Sequence, residues 1–476
     1  MAAYARSQLL RKKTRSKYEE KGKDFAIWLR DMILEKDYSI FYSYQMEAVL
    51  HTQRHLLIDV DAETSSDTHD GRRSECDPVL IVAPTGSGKS GMIVLLPYVL
   101  QSRKVLILTP SVVISKQLAR AFGIFKHEES FFQVTGFYNK NKTSTAAGGS
   151  QDDQDGDEED LENILETGIV LKDPSEITSR LPNLVIVNAQ KFGGKSKLSL
   201  QYNKKEVVGD VEAFFRQFDT LIVDEAHHYP AKTWVTIVDE FQKPAKGMQK
   251  RIIFITATPY RSIAGGKHRP ILKNQNHRIA YEIKAKDVEG QTVRRLDFVE
   301  RTNVANLAND IEELLNKNAR REPRITKHQA IVLVPRQDEA DRIAMELNDA
   351  MGVTTFAVSI VSNTKKEDKE KRIKDFGEGR YQVAVNCMLL NEGYDNNSVS
   401  VCVIVRNVGS RILFEQFIGR AMRMKKFGEG EQPDQSVATI LSYKEFKQRK
   451  LWTERNKLAT KDPVDEEGLY DDDDDE

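Results

Sequence analysis

The stretch PVLIVAPTGSGKS, residues 78–90, decides how the rest of this chain is read. A continuously apolar run meets Pro84 and is followed at once by Gly86, Gly88, Lys89 and Ser90. Apolar residues without alternation suit a strand covered on both faces, as in a parallel sheet flanked by helices. The two glycines let the backbone curl so that successive N–H groups point at phosphate oxygens. In such a loop a lysine reaches the β and γ phosphates and the following hydroxyl ligates Mg2+. Pro84, Thr85, Gly86, Ser87, Gly88, Lys89 and Ser90 are therefore read as an ATP phosphate-binding loop, with Ala83 where the usual pattern opens on glycine.

Further apolar runs have the same character. KVLILTP (104–110), NLVIVNAQ (183–190), TLIVDEAH (220–227) and RIIFITATP (251–259) complete one predicted parallel sheet. QAIVLVPR (329–336), TFAVSIVSN (355–363), YQVAVNCMLL (381–390), VSVCVIVRN (399–407) and SVATILSY (436–443) predict a second. The fold class is thus α/β with two tandem domains, in keeping with a length of 476 residues, since single cores stop growing near about 250–300. The expected boundaries are a basic extension over 1–37, a first domain over 38–265 with an acidic insertion at about 139–162, a connector over 266–300, a second domain over 301–446, and a helical stretch with an acidic tail over 447–476.

The formal net charge of −1 conceals an uneven distribution. DDQDGDEED (152–160) and DDDDDE (471–476) hold thirteen acids, and without them the remainder carries +12. A basic body is an electrostatic surface for polyanions; lysines and arginines dispersed over a soluble surface produce the same count. The acidic runs cannot bury enough apolar surface to offset chain entropy and are expected to be disordered. No apolar run approaches the roughly 18 residues of a membrane span. The N-terminus has no secretory core, so an intracellular location, nucleus or cytoplasm, is expected. Cys76, Cys387 and Cys402 are too few and too scattered for a disulfide framework or zinc site.

The run IVDEAHHYP (222–230) places Asp224, Glu225, His227 and His228 directly after an apolar strand. The histidine spacing matches neither zinc-binding helical pattern. An ATP phosphate loop brings Mg2+, which prefers carboxylates and water, and an acid at the end of a neighbouring parallel strand is the usual place to hold it. Asp224, with Ser90, is accordingly the expected metal ligand. Glu225 is positioned to orient and deprotonate the attacking water. His227 is expected to couple nucleotide state to the next strand through Thr256 and Thr258 of TATP.

Taken in order, APTGSGKS, DEAHH, TATPYR and FEQFIGRAMR resemble the motifs of helicase superfamily 2, most closely the branch with the helicase subunits of type I and type III restriction enzymes. The resemblance covers about residues 38–445. It implies two RecA-like domains with ATP in the cleft between them and nucleic acid across their top. FYSYQMEAV (41–49) is similar to the segment that reads adenine, which makes Gln45 the base reader and Tyr44 or Phe41 a stacking partner; the start of an amphipathic helix is the plainer reading. LTPSVVISKQL (108–118) resembles the backbone-gripping motif, with Thr109, Ser111 and Gln117 facing nucleic-acid phosphates, and VNAQKF (187–192) adds Gln190. Either stretch also reads as an ordinary capped strand-to-helix turn. NEGYDNNSV (391–399) is similar to the motif in which Gly393 allows close approach and Asp395 coordinates the ribose or the arginines. QFIGRAMRM (416–424) places Gln416, Arg420 and Arg423 together, with the two arginines three apart on one expected helical face, a spacing that suits convergence on a γ phosphate.

The function expected is a nucleic-acid-dependent ATPase, a DEAH-type helicase or translocase that requires ATP and Mg2+. DNA is favoured over RNA from the resemblance alone, and accessory domains from protein partners are a further expectation. Two alternatives remain at this level: an ATP-gated nucleic-acid-binding or sensing module, and a duplex translocase that never separates strands.

Overall fold

Val, Ile and Leu dominate each apolar run, and β-branched side chains pack well on a pleated surface buried on both sides. In the computed structural model these runs become strands with every residue buried, as in Val79–Val82, Val105–Thr109, Leu184–Asn188 and Thr220–Asp224. The structure describes residues 41–61, 77–124, 131, 169–171, 181–192, 213–245, 248–262, 268–272, 275–390, 394, 396–425 and 432–460. The basic extension 1–37, the acidic insertion at 139–162, the acidic tail, Gly393 and Asp395 lie outside the described residues.

The described chain forms two compact units, one around each large sheet. The first sheet has seven parallel strands in the spatial order Ile169–Leu171, Leu184–Asn188, Val105–Thr109, Thr220–Asp224, Arg251–Thr256, Val79–Val82 and Ile279–Glu282. Parallel neighbours require crossover connections, and helices supply several of these, among them Lys89–Val99, Val112–Ala121 and Lys232–Gln242. Phe214, Phe215, Phe218, Trp234, Phe241 and Phe254 fill the core on one side of this sheet. The helix Ser43–Asp61 packs against the helix Lys89–Val99 and the strand Ile279–Glu282.

The second sheet has six parallel strands: Leu296–Arg301, Ala438–Tyr443, Val399–Ile404, Gln329–Leu333, Val383–Asn386 and Ala357–Ile360. The amphipathic helices Leu307–Arg321 and Gln337–Met351 turn Ile311, Leu314, Leu315, Ile343 and Leu347 into its core. Gly352, at φ 64°, ends the second helix in the left-handed conformation that glycine tolerates. The helix Arg449–Thr460 docks on the edge strand Leu296–Arg301. Trp452 stacks on Phe298 at 5.3 Å between centroids, and Arg449 Nε donates to Glu300 Oε2 at 3.0 Å. Both sheets match the α/β, two-RecA-like architecture read from the sequence.

Within the stretch 266–300, read from sequence as a connector, Ile279–Glu282 joins the first sheet and Leu296–Arg301 joins the second. Ile279–Glu282 is only partly buried, and Leu296–Arg301 is partly buried throughout and mixes three apolar residues with three charged ones. Neither carries the unbroken apolar run that marks a central strand.

Phe254 is fully buried in the first core and meets Tyr229 at 4.8 Å between ring centroids. Phe254→Ala is expected to destabilise the first unit by about 3–5 kcal/mol, read as a lower urea midpoint in that unit, with Phe254→Leu recovering most of the loss.

Candidate functional site

Three adjacent strands of the first sheet end at one level. Val82 is in register with Thr256, and Asp224 with Ile255. All three strands are parallel, so their carboxyl ends open onto the same side, where open α/β sheets collect ligands. Residues more than a hundred positions apart meet there because of strand order.

The loop after Val82 is held at its start by Ala83 N donating to Thr256 O at 2.8 Å. Gly86 and Gly88 have φ of 85° and 77°, the left-handed region that L side chains rarely enter. A Cβ on Gly88 would also lie 2.1 Å from Gln45 Nε2. The helix Lys89–Val99 starts without a side-chain cap, so its first amides present the positive end of the helix to the loop. Ser90 is exposed in that first turn.

Lys89 Nζ lies 3.2 Å from Glu225 Oε1. Glu225 has φ 49°, uncommon for a non-glycine residue, and its N–H donates to Asp224 Oδ1 at 2.9 Å. Burial, reinforced by the negative charge of Glu225, pushes the Asp224 carboxyl up to about 7, with Lys89 opposing. A cation beside it would restore the charged form. His227 Nδ1 lies 3.1 Å from Thr256 Oγ1 and 3.5 Å from Glu225 Oε2. Thr258 N donates to Thr256 Oγ1 at 3.1 Å. Lys89, Asp224, Glu225, His227, Thr256 and Thr258 thus form one connected polar cluster, while His228 stacks on Trp234 at 5.8 Å.

Gln45 approaches the same loop. Its Nε2 lies 3.5 Å from Gly88 O, and its Oε1 accepts from Tyr42 N at 3.3 Å. The aromatic candidates fall differently. Phe41 and Tyr44 are buried, whereas Tyr42, which the sequence reading passed over, is 42% exposed and stacks on Tyr44 at 5.5 Å. Phe41 and Tyr44 turn inward together at the start of the helix Ser43–Asp61, and Tyr42 and Ser43 between them face outward.

The residues expected to grip nucleic acid also divide. Thr109 is fully buried, with its hydroxyl 2.6 Å from Ser115 Oγ, and Ser111 accepts from Ile114 N as the cap of the helix Val112–Ala121. Both hydroxyls are thus engaged within the local strand-to-helix turn, and Ser111 is partly exposed. Gln117 is partly exposed and Gln190 exposed.

In the second unit the helix Arg411–Ile418 carries Gln416 but stops before the arginines. Arg420 and Arg423 were expected on one helical face; they instead lie in the segment after the helix. Arg423 forms an isolated antiparallel bridge with Val293, and Arg294 N donates to Met422 O at 2.7 Å. Pairing with residues 293–294 removes Met422 from the helical ladder. Arg420 is buried, with Nη1 donating to Tyr394 O at 2.7 Å and Nε to Gln416 O at 3.3 Å. The sequence reading missed the ion pair of Arg294 and Asp434, whose side chains are fully buried and 2.8 Å apart. No spacing rule links an arginine to an acid 140 residues later.

Two family models match in succession: the type III restriction enzyme res subunit over residues 39–261 and the helicase conserved C-terminal domain over 308–425. The chain belongs to helicase superfamily 2. This superfamily 2 protein is 25% identical over 242 residues to the Saccharomyces cerevisiae protein named "Putative ATP-dependent helicase IRC3", covering 46% of this chain and 35% of that one. It is 20% identical over 274 residues to the "DNA 3'-5' translocase XPB2" of Sulfurisphaera tokodaii, covering 47% of this chain and 58% of that one. It therefore spans less than two thirds of the length of either curated relative. Among solved structures, Mss116p bound to ssRNA and AMP-PNP shares the fold at a TM-score of 0.52 and 14% identity, over 95% of this chain and 83% of that one. Among the described residues no helix is long and apolar enough to cross a membrane.

Burial pulls His227 from its ordinary value near 6.5 down to about 4. Between those values the unfolded chain binds a proton that the native one does not, so this residue's contribution to stability falls as pH drops from about 6.5 toward about 4. His227→Gln is expected to remove that acid sensitivity: urea midpoints of wild type and variant should converge as pH is lowered through this window. Parallel profiles would contradict a buried neutral imidazole.

Proposed function

We propose that this superfamily 2 protein is a DEAH-type, nucleic-acid-dependent ATPase that couples ATP hydrolysis to translocation on, or unwinding of, DNA. The observation that carries the reading is the polar cluster at three adjacent strand ends, where Lys89, Asp224, Glu225, His227 and Thr256 meet beside a glycine loop with left-handed backbone. That arrangement supplies in one place a cation for the phosphates, a carboxylate for a metal and a second carboxylate for water. DNA is preferred because the matching family is that of the type III restriction enzyme res subunit and one relative is named a DNA translocase.

In this reading Pro84 to Ser90 cradle the phosphates and Gln45 reads the base. Asp224 and Ser90 hold Mg2+, for which one carboxylate, one hydroxyl and water are a fitting donor set. The ion, when bound, neutralises charge on the β and γ phosphates. Lys89 leaves Glu225 for the phosphate, which frees the Glu225 carboxylate to orient and deprotonate the attacking water. His227 reports the event to Thr256, whose strand continues into TATP. Arg420 and Arg423 add positive charge to the transferring group, with Gln416, Gly393 and Asp395 assisting. Gln117 and Gln190 touch the nucleic-acid backbone, while Thr109 and Ser111 shape the turn that presents them. Partners that supply accessory domains belong to the same proposal.

Lys89→Ala is expected to weaken ATP binding and abolish turnover in a steady-state ATPase assay; unchanged hydrolysis would dismiss the phosphate-loop assignment. Arg420→Ala is expected to bind a fluorescent ATP analogue within about threefold of wild type while single-turnover hydrolysis falls by about 10³–10⁵. Near-normal hydrolysis would remove the arginine from the mechanism. DNA affinity is expected to drop steeply between about 50 and 200 mM salt through counterion release. A flat response, or ATPase stimulation by RNA alone, would overturn the DNA assignment.

A further inference from the structure

Arg294 has its side chain fully buried in the second unit, and its guanidinium is engaged on every side. Nε donates to Asp434 Oδ2 at 2.9 Å and Nη2 lies 2.8 Å from the same oxygen. Nη1 donates to Ala421 O at 3.0 Å and to Val399 O, and Nη2 donates to Asn397 O at 2.5 Å. Asp434 is equally occupied, accepting from Lys425 N at 2.9 Å, from Ser436 N at 2.9 Å and from Ser436 Oγ. One buried ion pair therefore grips the backbone of two separate segments, 397–399 and 421–425.

Those two segments flank Arg420. Its backbone immediately precedes Ala421, which Arg294 holds, and its guanidinium donates to the carbonyl of Tyr394, three residues before Asn397. The main chain around Arg294 adds a second grip through Arg294 N to Met422 O and the bridge between Val293 and Arg423. A lysine in place of Arg294 has a single ammonium and lacks the planar fork that spans three carbonyls and a carboxylate at once. Stability alone would not require such a group, because well-packed apolar residues replace a buried ion pair without loss in many proteins.

We infer that Arg294, with Asp434, is a positioning residue for Arg420 and Arg423: it fixes the segment that presents these arginines against the segment whose Tyr394 carbonyl aims Arg420. The inference rests on the ATPase reading for its kinetic consequence and on the second unit alone for its structural one. Two variants of the full chain test it. Arg294→Lys keeps the charge and loses the fork, and Arg294→Met/Asp434→Leu removes both charges and leaves an apolar pair.

Hydrogen–deuterium exchange is expected to rise at 396–399 and 420–425 in both variants and to stay at wild-type levels in the strands Gln329–Leu333 and Ala438–Tyr443. With saturating DNA, kcat is expected to fall about 10²-fold, the scale of a misplacement of about 1 Å, at a KM for ATP within about twofold of wild type. In an Arg420→Ala background, adding Arg294→Lys is expected to cost much less than it does in the wild type, because only the part that passes through Arg423 remains to be lost. Wild-type exchange at 396–399 and 420–425 in the apolar pair overturns the clamp, whatever the ATPase does. Full kcat in that pair, or independent additive losses with Arg420→Ala, overturns its role in turnover. Absence of ATP hydrolysis by the wild-type chain counts against the proposed function, and exchange then decides the clamp by itself.

Discussion

Parallel pairing of Thr220–Asp224, Arg251–Thr256 and Val79–Val82 is the constraint on which the candidate site depends. The register sets the level at which each strand ends, and the shared direction sends all three ends to one side. A slip of one residue would turn every side chain of a strand to the opposite face. Asp224 and Thr256 would then leave the phosphate loop, and His227 would lose Thr256. The strands hold because each is buried along nearly its whole length, so slipping would cost hydrophobic contact on both faces at once.

The same burial that fixes the strands tunes the charges at their ends. Asp224 follows three apolar residues and remains largely enclosed, which is why its carboxyl resists ionisation until a cation is near. His227 is held neutral for the same reason. Glu225, forced into a left-handed backbone conformation, turns its carboxylate out of the strand direction toward Lys89. Local strain is acceptable here because the flanking strand and the Asp224 carboxylate over-determine the turn.

Much of this was legible from the chain alone. Ten apolar runs marked ten strands, nine of them central in their sheets, because burial on both faces leaves an unbroken hydrophobic signature, and the glycine loop announced itself by a backbone conformation that few other residues reach. The edge strands Ile279–Glu282 and Leu296–Arg301 were hidden, since both are only partly buried and include charged residues that make them resemble a polar linker. Arg420 and Arg423 were found by residue type but placed on the wrong element: three-residue spacing fits a helix, and only the distant Val293 and Arg294 draw that segment out of one. Tyr42 and Tyr44 differ by two positions, and only the packing of the helix decides which ring faces outward. Thr109 illustrates the reverse, a residue type suited to phosphate contact whose hydroxyl is consumed by the turn it builds.

The helix Arg449–Thr460 has a role beyond extending the chain. The second sheet ends on Leu296–Arg301, and an outermost strand offers unpaired backbone groups along which another chain can add. Trp452 over Phe298 and Arg449 on Glu300 fasten that helix to the exposed margin. A chain shortened just after Tyr443 would keep all six strands and the arginine segment, yet it would present a bare, partly apolar border to its own copies. The last described helix thus covers part of a margin along which strands can add, a property that concerns solubility rather than turnover.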